Sequence, residues 1–291
     1  MKRITPVLCT LVFVGSVWAQ ESEETTVTST TTTVSSGANL LDDAWYTTDA
    51  TPVAAGSTEF RLSFQWMSSS GFASNRGDSD DDLILTPSLY WGATDNLELS
   101  LGVPLWLGDG GDAGAVDDGN WDTYVGFLWQ FAEDAWGQYD MGLAGTARIP
   151  TGQDSDKVDG ELRLVMTHEY DNGVRSHFNI YGGSVNGTNL ETFTFTDATG
   201  EVDDKRDFQY GAVIGMDGPL CGDGAVRWVF DYLHRSSMYE GQNNWNMGEI
   251  GWEWQMSDNT KLGWSFQASL DHSNDAPEFG STITYAKALT Y

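Results

Sequence analysis

Glu59-Phe60-Arg61-Leu62-Ser63-Phe64-Gln65-Trp66 is the stretch on which the fold turns. Phe60, Leu62, Phe64 and Trp66 alternate with Glu59, Arg61, Ser63 and Gln65. A period of two puts the apolar set on one face of a strand and the polar set on the other. The pattern recurs along the chain. Leu97, Leu99, Leu101, Val103, Leu105 and Leu107 oppose Glu98, Ser100 and Gly102, and Val125, Phe127, Trp129 and Phe131 oppose Asp122, Tyr124 and Gln130. Leu162, Leu164 and Met166 oppose Glu161, Arg163 and Thr167; Val226, Trp228, Phe230 and Tyr232 oppose Arg227 and Asp231. Ile250, Trp252, Trp254 and Met256 oppose Glu249, Glu253 and Gln255; Leu262, Trp264, Phe266 and Ala268 oppose Ser265, Gln267 and Ser269. With Leu83–Trp91, Tyr139–Ile149, Arg175–Tyr181, Phe208–Met216 and Ile283–Tyr291, about twelve strands are predicted.

A soluble sandwich also alternates, so three further features decide. The runs are roughly nine to eleven residues, the span of a tilted membrane strand, where soluble strands are commonly about five or six. Long connections (68–82, 108–120, 150–160, 186–206, 236–244) alternate with shorter ones (93–96, 132–138, 171–173, 217–224, 257–260), the loop asymmetry of outer-membrane barrels. Charge is confined to the polar parity, Lys287 being the main exception. A basic side chain facing mid-bilayer lipid costs roughly 2–4 kcal/mol, so a charge-free apolar face is expected where that face meets lipid. The aromatics agree. Trp91, Trp129, Tyr139, Tyr170, Trp254, Trp264 and Tyr291 sit toward the short-turn ends, and Trp66, Trp121, Tyr210, Tyr232 and Phe279 toward the long-loop ends. Two such girdles are where amphipathic rings settle at headgroup level. The predicted fold is all-β: a transmembrane antiparallel up-and-down β-barrel of about 12 strands over residues 58–291.

Composition sets the remaining bounds. The chain has 291 residues, a formal charge of -29, 13% aromatic residues and 33 glycines. Phosphate binding needs clustered Lys and Arg, so this acidity excludes a nucleic-acid partner. Cys9 and Cys221 are the two cysteines, too few for a disulfide framework. Lys2 and Arg3, the apolar run from Ile4 to Val14 and Val17-Trp18-Ala19 form a secretory signal peptide, expected to end at residue 19. Its removal takes the formal charge from -29 to -31. Residues 20–57 begin with Glu21-Ser22-Glu23-Glu24 and a Thr-rich tract, Thr25 to Thr33. That composition reads as a flexible tether or, alternatively, a plug folded back into the barrel. Export and barrel together predict a place in the cell outer membrane, with lipid and lipopolysaccharide as neighbours.

The segment Tyr90-Trp91-Gly92-Ala93-Thr94-Asp95-Asn96-Leu97-Glu98-Leu99-Ser100-Leu101-Gly102-Val103-Pro104 resembles a recurring stretch of one outer-membrane family. That family is the transporters named for the MetA pathway of phenol degradation, whose members show a Tyr-Gly-x-Thr-Asp turn, an alternating strand and then Pro. Gly119-Asn120-Trp121-Asp122 with Tyr124-Val125-Gly126 is similar to the strand opening that follows there, and Ala147-Arg148-Ile149-Pro150-Thr151-Gly152 to its Pro-Thr-Gly loop. The resemblance covers about Leu83 to Tyr170. Trp91 intervenes before Gly92, and the Gly-Asp step is altered. It implies a channel or transporter for small molecules, aromatic or hydrophobic compounds among them, and carries over no site residues.

Function would reside on the polar parity. Arg61, Glu98, Asp122, Asp140, Arg148, Glu161, Arg163, Arg175, Arg227, Asp231, Glu249 and Glu253 are the lumen-lining candidates. They form either a selectivity field or a salt-bridge network that holds the lumen shut, since both satisfy buried charges by pairing. A preponderance of inward acids over Arg predicts a cation preference for an open pore. Twelve strands lie between the filled eight-strand barrel and the aqueous sixteen-strand porin, so a narrow pore and a closed structural barrel with acidic outer loops both remain open. Loop acids Asp78, Asp80 and Asp82 have the hard oxygens that suit Ca²⁺ or Mg²⁺, but no calcium-loop spacing, and solvated loops are the simpler reading. His272-Ser273-Asn274 invites comparison with outer-membrane phospholipases, yet adjacency in sequence gives no triad geometry, so an enzyme is not expected. No cofactor motif is present. Tyr285, Leu289 and the terminal Tyr291 share the apolar parity, the form of signal read by the barrel-assembly machinery.

Overall fold

Alternation is realised as a closed ring of strands. The computed structural model describes residues 47–68, 81–107, 122–152, 157–185, 206–221, 224–237, 243–271 and 279–289. Its strands are β1 (Thr58–Ser68), β2 (Asp81–Thr94), β3 (Leu97–Gly102), β4 (Leu105–Trp106), β5 (Thr123–Ala135), β6 (Tyr139–Ile149), β7 (Asp159–Glu169), β8 (Arg175–Ser184), β9 (Phe208–Pro219), β10 (Val226–Arg235), β11 (Trp245–Ser257), β12 (Thr260–Ser269) and β13 (Phe279–Leu289). Successive strands pair antiparallel, except that β3 pairs with β5 and β4 with β2, and β1 lies between β13 and β2, which closes the sheet. Closure leaves no unpaired edge, the condition for a sheet to sit in hydrocarbon.

Twelve crossings result, because β3 and β4 are the two pieces of one strand. The alternation from Leu97 to Leu107 predicts an uninterrupted strand; the structure breaks it at Val103-Pro104. Pro104 has no N–H for the ladder, and the flanking amides Val103 and Leu107 reach the Pro87 and Leu83 carbonyls at 3.1 and 2.8 Å. The less regular run from Leu83 to Trp91 is the core of β2. A second irregularity sits on β5, where the register to β6 shifts twice between Gln130 and Ala135. There Asp134 and Trp136 adopt positive φ and tighten the connection.

Parity sorts the side chains as the sequence predicts. Phe64, Leu99, Val125, Leu164, Ile180, Ile214, Phe230, Ile250 and Phe266 are exposed on the outer face. Outside rings meet across strands: Trp252 and Trp264 lie 4.6 Å apart edge to face, and the Trp264 indole N–H donates to Ser281 Oγ at 2.8 Å. His168 also faces out, at the short-turn end between Tyr139 and Tyr170, with ring separations of 5.2 and 4.3 Å. Tyr285 and Leu289 lie on β13; Tyr291 falls outside the described residues.

Inside, the polar parity carries an apolar component that the charged residues mask in the sequence. Leu128, Ala144 and Val165 form one buried cluster with Ala50; Tyr181, Val213, Leu233 and Met247 form another. Val165 interrupts the run Leu162–Thr167 as an inward apolar residue beside two outward ones. Asp231, Asn179, Ser265, Thr282, Ala144 and Val165 are wholly inaccessible, so the wall is covered at mid-height on several sides.

Candidate functional site

Ala50 belongs to no strand, and its presence in a lumen cluster shows what covers the wall. Residues 47–57 precede β1 and run as a strap through the bore. At its base the strap rests on β2: Gly56 N–H donates to the Gly92 carbonyl at 2.8 Å and Gly92 N–H to Ser57 O at 3.0 Å. The approach is close enough to require glycine, since a Cβ at Gly92 would lie 2.2 Å from the Ala54 carbonyl oxygen. Val53 N–H donates to Glu98 on β3 at 2.9 Å. The chain then passes Ala50, whose N–H donates to Thr167 Oγ1 at 3.1 Å, and Thr48, which exchanges two hydrogen bonds with the Asn179 amide at 2.7 and 3.0 Å. Arg163 Nη1 donates to Thr48 Oγ1 at 3.0 Å.

The strap ends on β10. Thr47 donates its N–H and its hydroxyl to the two oxygens of Asp231, at 3.0 and 2.7 Å. Space for this contact is made by Gly215 on β9, where a Cβ would fall 2.1 Å from Thr47 Oγ1 and 2.3 Å from Asp231 Oδ1. In the ring, β3 and β10 are on opposite sides. The strap therefore spans the bore, held by side chains because an unpaired backbone has no ladder of its own.

At the short-turn end of β8–β10 the strap meets the densest charge cluster. Asp217 accepts from the Arg175 fork (Nε at 3.1 Å, Nη2 at 2.9 Å), from Arg227 Nε at 2.7 Å and from His177 Nε2 at 2.7 Å. The remaining terminal nitrogen of Arg175, Nη1, donates to Asp49 of the strap. Thr167 Oγ1 lies 3.2 Å from Asp49 and 3.0 Å from His177 Nδ1. Burial acts to raise the Asp49 carboxyl, but the positive charges of Arg175 and His177 and the Thr51 N–H outweigh it and hold it below its ordinary value of 3.8. A cavity of ≈ 50 Å³ adjoins the cluster, lined by Thr47, Asp49, Arg175, Asp217, Arg227 and Glu253 among others, with room for about three waters.

The predicted lining residues fall into separate groups. On the long-loop half, Arg148 bridges Asp122 (3.1 Å) and Asp159 (2.7 Å), and Arg163 pairs with Glu161 at 3.0 Å beneath the Tyr181 ring. Arg61 pairs with Glu59 and stacks 3.9 Å from the Tyr90 ring centroid. Glu253 pairs with Lys261 at 3.1 Å. Arg175 and Arg227 converge on Asp217, whereas Glu98 and Asp231 serve the strap. Glu249 is buried on β11, and Asp140 stands at the short-turn rim accepting the Asp134 N–H at 3.1 Å.

Sequence reasoning passed over Thr47, Thr48, Asp49, Thr167 and Asn179 as site residues and placed Asp217 in a turn. Extending the parity of Phe208–Met216 by one residue would have set Asp217 inward on β9, where it pairs with Arg175 across the ladder. His177, on the polar parity of β8, has Asp217 and Thr167 as partners. Thr167, His177 and Asp217 share the connectivity of a nucleophile, base and carboxylate, but Ala50 and Asp49 cover Thr167 Oγ1. Asp78, Asp80 and the His272-Ser273-Asn274 segment lie outside the described residues, and Asp82 stands at the start of β2. Among the described residues no group of His, Cys, Asp and Glu is arranged to hold a metal ion.

No protein-family model matches the chain, and no curated protein matches its sequence. Solved structures do match its fold. An outer-membrane channel from Pseudomonas putida F1 superposes with a TM-score of 0.62 at 13% identity, over 83% of this chain and 98% of that one. The NanC porin superposes with a TM-score of 0.51 at 7% identity, over 80% of this chain and 99% of that one. At such identity the likeness speaks for the barrel: this chain has the fold of outer-membrane channels.

Proposed function

We propose that the protein is an outer-membrane channel that admits small solutes by passive or facilitated diffusion, its bore narrowed by the strap of residues 47–53. The observation that carries this reading is a closed barrel, apolar outside, whose interior is lined by paired Arg and carboxylate side chains rather than by a continuous hydrophobic core. Rings of charge at a constriction are how pores select solutes. The barrel likeness supports placement in the outer membrane. The resemblance over Leu83–Tyr170 supports small aromatic or hydrophobic compounds as the solute class.

A swelling assay on proteoliposomes tests it. Vesicles bearing the protein should swell faster than empty vesicles in small solutes, with a sharp loss of rate as solute size grows. Equal rates would transfer the reading to a closed structural barrel, which the inaccessibility of Asn179, Asp231, Ser265 and Thr282 at mid-height favours.

A further inference from the structure

Asp49 is the one charged residue among Thr47-Thr48-Asp49-Ala50-Thr51-Pro52-Val53, and the wall receives it as a site receives a ligand. Arg175 commits Nε and Nη2 to Asp217 and keeps Nη1 for Asp49, so the guanidinium shows one edge to the bore. Thr167 adds a hydroxyl against the other carboxylate oxygen at 3.2 Å. A guanidinium edge and a hydroxyl, both fixed on adjacent strands, match a carboxylate in shape and charge.

Charge balance points the same way. Removing Asp49 takes one carboxylate away from Arg175, Arg227 and Asp217. Glu253, paired with Lys261, and Asp231 line the same cavity and moderate the charge that is left. With Asp49 in place the Arg175 side chain is only 15% exposed. His177 lies between Asp217 and Thr167, at 2.7 and 3.0 Å, and braces the two against each other. The adjoining ≈ 50 Å³ cavity gives a displaced or incoming group somewhere to sit.

We infer that Arg175, Thr167 and the Arg227–Asp217 pair behind them form a carboxylate-binding subsite, which Asp49 occupies as a built-in ligand and which a small carboxylate solute takes by displacing it. The inference rests on the channel reading for its role in transport, but the site itself can be tested without transport. Displacing Asp49 removes one inward carboxylate and so shifts the bore away from the cation preference that counting inward acids predicts.

Acetate is the probe, titrated calorimetrically into the refolded full chain in detergent at constant ionic strength, with chloride as the exchanged anion. Asp49→Ala should bind acetate saturably and at least about tenfold tighter than the wild type, a factor worth about 1.4 kcal/mol. Adding Arg175→Gln to that variant should abolish the gain. Equal binding by wild type and Asp49→Ala, or a gain that survives Arg175→Gln, overturns the site. Heat-shifted mobility on gels shows which variants are folded barrels. Should Asp49→Ala not fold, Asp49→Asn keeps the volume while removing the charge and should still bind acetate more tightly than wild type; no gain there overturns the site equally. Tight acetate binding by a barrel that passes no solute in the swelling assay refutes the channel and leaves the site standing. Solute flux without acetate binding refutes the site alone.

Discussion

Gly215→Ala tests whether the strap is held where its hydrogen bonds place it. The new methyl would lie 2.1 Å from Thr47 Oγ1 and 2.3 Å from Asp231 Oδ1, so the Thr47–Asp231 contact cannot survive unchanged. Two bonds are at stake, the hydroxyl at 2.7 Å and the amide at 3.0 Å, both to a buried carboxylate. Hydrogen bonds to charged groups contribute about 1.5–3 kcal/mol each. If Thr47 rotates away and only the hydroxyl bond is lost, local docking weakens by about 10- to 10²-fold; if both go, by about 10² to 10⁴-fold. Hydrogen exchange at single amides reads this directly. In the wild type the Thr47, Thr48, Ala50 and Val53 amides should be protected although they belong to no strand, since each donates to a wall side chain. In the variant, protection at Thr47 should fall by at least about tenfold while Val53, bonded to Glu98 across the bore, changes little. Free-peptide exchange at these four amides in the wild type, or no change at Thr47 in the variant, would refute the docked strap.

Other perturbations follow from the same geometry. Gly92→Ala meets the Ala54 carbonyl at 2.2 Å, a backbone atom that no rotamer change can move, so it should lower the yield of folded barrel; Gly56→Ala, with open space around its Cβ, should cost only the strain of its positive φ of 75°. Refolding yields judged by heat-modifiable mobility compare the two. Leu164→Arg on the outer face of β7 should destabilise the barrel by about 2–4 kcal/mol in guanidinium titrations in vesicles, and an unaffected midpoint would contradict a lipid-facing band. Asp49 is held below 3.8, so its ionised contacts contribute fully above that pH and are lost only as pH falls further. Protection of the Thr51 amide, which donates to Asp49 at 3.0 Å, should therefore stay flat from pH 8 to about 5 after correction for intrinsic rates, and a loss across that window would contradict the pairing.

The barrel was legible because its signal is local and repeated. Each of the runs around Phe64, Leu99, Phe127, Leu164 and Trp264 states its own inside and outside, and a one-residue slip would expose every member to the wrong medium. Val103-Pro104 shows the limit: parity continues through it, but the missing amide of Pro104 splits the strand. The strap, which the sequence offers only as the alternative of a plug, was not legible residue by residue, for a different reason. Thr47, Thr48, Asp49 and Ala50 have no period, follow a low-complexity tract, and find their partners 184, 131, 118 and 117 residues away. Nothing short-range distinguishes them from a tether. One signal was present and unused: the inward apolar residues Leu128, Val165, Val213 and Met247 depart from a purely polar lumen and need something to pack against.

Conductance across a planar bilayer tests the central claim most directly, that this barrel is a pore crossed by its own N-terminal strap. A chain starting at Gln20, after the expected signal peptide, would be compared with one beginning at Ala54, which keeps the β2 contacts of Gly56 and Ser57 and lacks residues 47–53. The account expects steady unit conductance from the shorter chain, larger than that of the full chain and more permeable to anions. Equal conductance with unchanged selectivity would show that the strap does not lie in the conducting path, and silence from both folded proteins would contradict the pore.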